Sequence, residues 1–233
     1  MANAYGERQT KAPLLLHQSE GTLVMKSNAL IVTAHPYSHS FNLAMSTLAE
    51  QTLVQSNWTV ETSNLYQQGF SPVTGTHDFV DLVASAGANL LQLQAKAFGK
   101  DRFAEDIVSE QAKINRADLI ILQFPIWWGS MPAMLKGWLE RVLTYGYAYG
   151  EQFALENKPV MMAVTTGGAR DEAELTYYRD KMKALSDDIF GYMKMDCQPS
   201  FICHGPAAST QAHRLAELDR YKDNLNTLLA ALD

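Results

Sequence analysis

Apolar and β-branched residues gather into five short runs along the chain: ALIVTA (29–34), TVETSNL (59–65), DLIILQF (118–124), PVMMAVTT (159–166) and SFICHG (200–205). Between and after them, apolar positions recur at helical spacing over about 40–56, 103–116, 132–143, 172–190 and 210–231. Strand alternating with helix predicts a parallel sheet covered on both faces. Unbroken apolar stretches such as LIIL and VMMAV fit strands buried on both sides, where a half-exposed antiparallel sheet would alternate. The expectation is a doubly wound sheet, whose ligands sit at the carboxyl ends of the strands where strand order reverses. Residues 66–102 show the weakest pattern and are read as a long excursion with one helix near 77–97.

The chain has 233 residues, 47 % hydrophobic and 19 % charged, which is ample for one large domain and unlike a disordered composition. A net charge of −6 and the lack of any dense Lys/Arg block argue against nucleic acid as a partner. No apolar run approaches the roughly 18 residues that a membrane span needs. PLLL, at 13–16, is too short for the apolar core of a signal peptide. Cys197 and Cys203 form neither a metal-type CxxC nor a disulfide framework, which suits a reducing cytoplasm. Residues 1–27 are expected to be a flexible N-terminal extension ahead of a domain at 28–233.

The strand ends carry the candidate chemistry. After the first run comes TAHPYSHSFN (33–42), where Ser38 and Ser40 suit helix capping and the first-turn amides make an anion site backed by the helix dipole. A capped helix without a ligand would use the same residues. Neither GxGxxG nor GxxxxGK[ST] is present there, and the remaining reading is a loop that wraps phosphate with hydroxyls and amides.

The third run ends in FPIWWGSMP (124–132), with two adjacent tryptophans between prolines. Consecutive side chains on extended backbone face opposite ways, so both indoles need cover. Either neighbouring helices supply it or a large planar ligand does, and the proline-bounded loop favours the ligand. In the following helix Trp138 falls on the apolar stripe as packing, while Lys136 and Arg141 are expected to be solvated. TYGYAYGEQ (144–152) alternates tyrosines with small residues and suggests a flexible aromatic lid. The fourth run ends in TTGG (165–168), which offers hydroxyl handles and close backbone approach.

Together ALIVTAHPYSHSFNLAM, DIVSEQAKINRADLIILQFPIWWGSMPAMLKGWLERV and AVTTGG resemble the NAD(P)H:quinone oxidoreductases of the DT-diaphorase type. The resemblance implies a flavodoxin-like α/β fold, a doubly wound five-stranded parallel sheet of order 2-1-3-4-5 with helices on both faces. It implies FAD, with FMN as the lesser option, and NAD(P)H as co-substrate. His35, Ser40, Phe41 and Asn42 would line the flavin diphosphate. Pro125, Ile126, Trp127, Trp128 and Gly129 would border the ring, with Thr165, Thr166, Gly167 and Gly168 on its other flank and Arg214 near the adenosine.

Tyr149 matches an active-site tyrosine that reaches in from the partner subunit of a homodimer, and with Gly167 and Gly168 it forms the expected catalytic set. No metal is implied. Ala173 and Arg179 stand where mammalian members carry a Tyr and a His that relay charge, and Gly129 replaces a bulky aromatic.

The expected activity is two-electron transfer from NAD(P)H through the flavin to a quinone or other planar acceptor by a ping-pong mechanism, in the cytoplasm, with no membrane insertion. The rivals are an FMN-dependent azo or nitro reductase, a flavin-containing ancillary subunit of a potassium-efflux transporter, and a flavodoxin-like electron carrier.

Overall fold

The computed structural model describes residues 27–82, 87, 89–168 and 171–232. The expected extension over 1–27 therefore lies outside the described residues, save that Ser27 already opens the first strand.

Every strand pairing is parallel, and the sheet runs β2-β1-β3-β4-β5. Its members are β1 (Ser27–Thr33), β2 (Trp58–Asn64), β3 (Leu119–Pro125), β4 (Pro159–Thr166) and β5 (Asp196–Cys197), with β6 (Phe201–His204) also on β4. The fifth position is thus occupied by two pieces. Between them Gln198, Pro199 and Ser200 stand opposite only Met161 and Met162. Pro199 has no N–H for a ladder, and an extra residue on an edge strand makes a bulge.

Alternate side chains of the central strands serve two cores. Ala29, Ile31, Leu119, Ile121, Met161 and Ala163 pack beneath α1 (Phe41–Gln55) and α6 (Gln211–Leu232). Leu30, Val32, Ile120, Leu122, Phe124 and Val164 face α3 (Glu105–Arg116), α4 (Ala133–Val142) and α5 (Glu172–Ile189). Burial on both faces is why these strands read as unbroken apolar runs. The chain leaves β1 for the β2 side and then crosses back to β3, which opens a crevice at their carboxyl ends.

The excursion differs from the expected helix over 77–97. A single 3-10 turn occupies Thr76–Asp78, Phe79 bridges Phe103, and the helix α2 is confined to Leu90–Phe98, started by the Asn89 cap. Residues 83–86 and 88 lie outside the described residues. Asp78 is occupied by the element that pins this excursion, the side chain of Arg141, which is buried and not solvated as its sequence context suggests.

Its Nε donates to Asp78 Oδ1 at 2.7 Å, and its Nη1 donates to Asp106 Oδ2 at 2.6 Å and the Ser71 carbonyl at 2.8 Å, with the Phe70 ring 5.0 Å from the guanidinium carbon. Two carboxylates and a carbonyl replace the water that the cation loses. Trp138 is buried as expected, its indole N–H donating to Glu110 at 2.8 Å. Lys136 does stay at the surface, paired with Glu140.

Removing the cation strands Asp78 in the interior. Arg141→Leu should lower unfolding stability by about 3–5 kcal/mol in urea melts, and Asp78→Asn in the same chain should return part of that loss. A loss under 1 kcal/mol would mean that Asp78 regains water.

Candidate functional site

Asn42, second residue of α1, is fully buried between strand ends. Its Nδ2 donates to Thr165 Oγ1 at 2.7 Å, and its Oδ1 accepts from Gln123 Nε2 at 2.9 Å. This sets the first turn of α1 over the ends of β3 and β4. Ser40 is the N-cap, its Oγ accepting the Leu43 N–H at 3.3 Å, which leaves the Phe41 and Asn42 N–H groups without an intrahelical acceptor. No acidic residue stands in that turn, so its positive field is not neutralised. Asn42 therefore contributes its backbone to the site, since its side chain is committed to the strands.

Pro125, which has no N–H to donate, closes the strand. It is the last residue of β3, opposite Thr165, and the next N–H, that of Ile126, still donates to the Thr165 carbonyl at 2.8 Å. Beyond it Trp127 and Ser130 exchange both backbone hydrogen bonds, at 2.9 and 3.0 Å, around Trp128 (φ 50°) and Gly129 (φ 75°). Two consecutive positive φ values make this a type I′ turn, natural for Gly but strained for a tryptophan, at a cost of about 1–3 kcal/mol.

Neither indole is core: Trp127 is 40 % exposed, against the His35 ring at 5.7 Å, and Trp128 is 105 % exposed. Beside Gly129, whose added Cβ would lie 3.0 Å from Lys181 Nζ, that ammonium occupies part of the space that an aromatic would fill.

At the end of β4, Thr166 Oγ1 accepts the Gly168 N–H at 3.2 Å, and a Cβ on Gly167 or Gly168 would meet nothing within 4 Å. The turn thus presents bare backbone to open space. Arg214, on α6, donates to the Ser209 carbonyl at 2.6 Å through Nη1, and its guanidinium carries further N–H donors.

These pieces converge on one cavity of about 490 Å³ at the crevice. His35, Ser40, Phe41, Asn42, Pro125, Ile126, Trp127, Thr165, Thr166, Gly167 and Arg214 line it. Trp128, Gly129 and Gly168 adjoin these residues in the chain without lining it. An adjoining cavity of about 440 Å³ shares His35 and extends to Asn64, Tyr66 and Gln67 at the end of β2. Sequence reasoning missed His39, Pro206 and Ala207 in the first cavity. The rule that ligands gather at strand carboxyl ends would have directed attention to Pro206 and Ala207, which follow the fifth run.

Tyr149 lies outside both cavities, against Tyr145 at 5.7 Å and Tyr192 at 5.6 Å. Burial, then the two neighbouring phenols, push its pKa up, so it stays protonated at neutral pH. Its glycines do not loosen the loop as expected. A Cβ on Gly146 would reach 2.6 Å from the Phe98 ring and one on Gly150 2.3 Å from the Tyr145 ring, both at φ 91°. Tyr147 and Ala148 are buried, the Tyr147 hydroxyl bonding Asn115 at 2.8 Å, and Gln94 accepts the Tyr145 N–H at 3.1 Å. The segment is a packed strap. Ala173 and Arg179 are exposed, and Arg179 pairs with Glu172 at 2.5 Å.

The flavodoxin-like fold family is matched over residues 27–225. The chain belongs to that family.

Rat NAD(P)H dehydrogenase [quinone] 1 is 38 % identical to this flavodoxin-like chain over 147 residues, 60 % of the chain and about half (54 %) of that relative's length. Rat ribosyldihydronicotinamide dehydrogenase [quinone] is 30 % identical over 212 residues, 85 % of the chain and 90 % of the relative. Among solved structures, a putative quinone reductase from Klebsiella pneumoniae superposes with a TM-score of 0.81 at 25 % identity, covering 87 % of this chain and 85 % of that one. The strand order of the flavodoxin-like family is the one observed. No helix among the described residues is long and apolar enough to cross a membrane, and no group of His, Cys, Asp and Glu among them could hold a metal ion.

His35 accepts the Tyr37 N–H through Nδ1 at 3.1 Å, and burial holds its pKa below the ordinary value of 6.5. The neutral ring therefore contributes stability in full above the unfolded value, and that contribution is lost as pH falls through the lower folded one. Thermal melts should show the Tm advantage of wild type over His35→Gln shrinking on acidification. An advantage that grows would show that the fold favours the imidazolium.

Proposed function

We propose that the chain is a flavin-dependent NAD(P)H:quinone oxidoreductase that binds FAD in the crevice cavity. The observation that carries this reading is the convergence, in one cavity, of an unneutralised helix N-terminus, an open glycine turn and an indole-bearing loop. The donor set fits a flavin. Phe41 and Asn42 backbone amides with the Ser40 and His35 side chains suit a diphosphate, while Trp127 and the Thr165–Gly167 edge suit a planar heterocycle. Arg214 and the neighbouring cavity at Asn64 and Tyr66 leave room for an adenosine and support FAD over FMN.

A bound flavin supplies two-electron chemistry, taking hydride from NAD(P)H and passing electrons to a quinone in ping-pong order on one face. The protein's part is to orient and to exclude water. The Gly167 backbone, which lines the cavity, would meet negative charge there without reorganising, because the Gly168 N–H is already tied to Thr166 Oγ1 and holds the turn in place. Trp128, held out in a strained turn, offers an indole face that a planar ring or a second copy of the chain would cover. Tyr149, protonated and half-buried beside the exposed Tyr192, fits a donor to the site of a partner in a homodimer. The relatives' names support a quinone as acceptor. A cytoplasmic location accords with the two free thiols, Cys197 and Cys203.

Fluorescence titration of the flavin-free protein should show FAD binding with quenched tryptophan emission. Trp127→Ala should weaken it about 10-fold or more, the loss of one stacking contact, and Arg214→Leu should weaken FAD more than FMN. Equal loss for both flavins would reassign the cofactor to FMN and favour azo or nitro acceptors. Stopped-flow mixing with NADH or NADPH, then menadione, should bleach and restore the yellow colour. Binding without bleaching would favour a carrier or a transporter's ancillary subunit. Sedimentation should report a dimer, and a monomer with full turnover would remove Tyr149 from the mechanism.

A further inference from the structure

Thr166 has a second partner besides the glycine turn. Its Oγ1 stands 3.2 Å from Nδ1 of His204, the last residue of β6, a half-buried imidazole that lines a separate pocket with Arg179 and Arg220. The backbone repeats the connection: the Gly205 N–H donates to the Thr166 carbonyl at 3.2 Å, and a Cβ on Gly205, at φ 60°, would come within 3.1 Å of Gly168 Cα. His204 and Gly205 thus brace the glycine turn.

We propose that His204 is a positioning residue for this turn, holding the Thr166 hydroxyl so that a proton gained at His204 reverses that hydroxyl and places a positive charge beside the turn. The inference rests on the flavin reading above.

Thr166 Oγ1 accepts the Gly168 N–H in either state and has one proton to give. With a neutral ring protonated on Nε2, that proton goes to Nδ1. When solvent supplies a proton to Nδ1, the ring becomes the donor and the hydroxyl turns to the Gly168 carbonyl, 3.3 Å away. All three groups stay satisfied, so the switch adds charge without breaking the turn. Negative charge building up in the cavity that Thr166 and Gly167 line would be stabilised by an imidazolium one hydroxyl away.

The surroundings keep the resting ring neutral. Tyr178 of α5 packs against it with ring centroids 5.7 Å apart, and Arg179 of α5 faces it. From α6, Arg220 and Glu217 stand near it as a bonded pair, and His213 meets its carbonyl at 3.4 Å. Burial, then Arg220, lower its pKa; Glu217 opposes and Arg179 reinforces the shift. His204 belongs to β6, whereas Ala173 and Arg179 belong to α5.

The midpoint potential of the flavin-loaded protein, measured by redox titration from about pH 5 to about pH 9 across the histidine range, tests this. Wild type should show a change of slope that His204→Gln loses while still binding flavin, because glutamine keeps a hydrogen bond to Thr166 but does not titrate. Thr166→Val should lose it too. Curves for wild type and His204→Gln that superimpose would overturn the proposal alone, whereas a wild-type protein that binds no flavin would overturn it together with the reading beneath it. Independently of flavin, imidazole ¹⁵N spectra of the wild-type protein should show Nδ1 of His204 unprotonated at neutral pH. A proton on Nδ1 there would also overturn it.

Discussion

Everything at the crevice depends on two buried hydrogen bonds made by one amide. Asn42 ties the first turn of α1 to Gln123 on β3 and to Thr165 on β4, at 2.9 and 2.7 Å. In the interior such bonds are costly to leave unmade, since each unpaired partner would lose its hydration for nothing. They therefore fix where the positive end of α1 points, and the loop from His35 to Ser40 has to close over the strand ends in consequence. Tyr221 of α6 stands 3.5 Å from Gln123 and joins the same network from the neighbouring helix of that layer.

Around that fixed point several residues carry irregular backbone. Trp128 sits at positive φ in a two-residue turn, Gly168 and Gly205 adopt conformations open mainly to glycine, and Gly205 presses on Gly168. Away from the crevice, buried polar clusters hold the frame. Arg141 is clasped by Asp78 and Asp106, and Glu110 joins Trp138, Ser63 and Lys113. Those buried polar clusters hold the excursion after β2 against α3 and α4, and the Tyr147 bond to Asn115 ties the tyrosine strap to α3.

The tyrosine strap shows how composition misleads about motion. Alternating Tyr and small residues suggest a loose lid, yet the glycines occupy the tightest contacts in the loop, where any side chain would overlap Phe98 or Tyr145. A glycine read alone offers freedom and close approach equally. Only the neighbours decide between them.

The order of strands and helices, the double burial of the sheet and the site at its carboxyl edge were all legible from residue patterning, because period and burial are local consequences of side-chain chemistry. His35, Ser40, Trp127, Thr165 and Thr166 stand out at the ends of the runs, Arg214 enters only through the resemblance, and the fold brings all six to one cavity. The tertiary structure alone decided that Arg141 is buried, that the fifth strand breaks around Pro199, and that both indoles at 127 and 128 face outward. It also joined His204 to Thr166, 38 positions apart. Each of these depends on which distant group supplies a partner or an obstacle, and no local pattern encodes that.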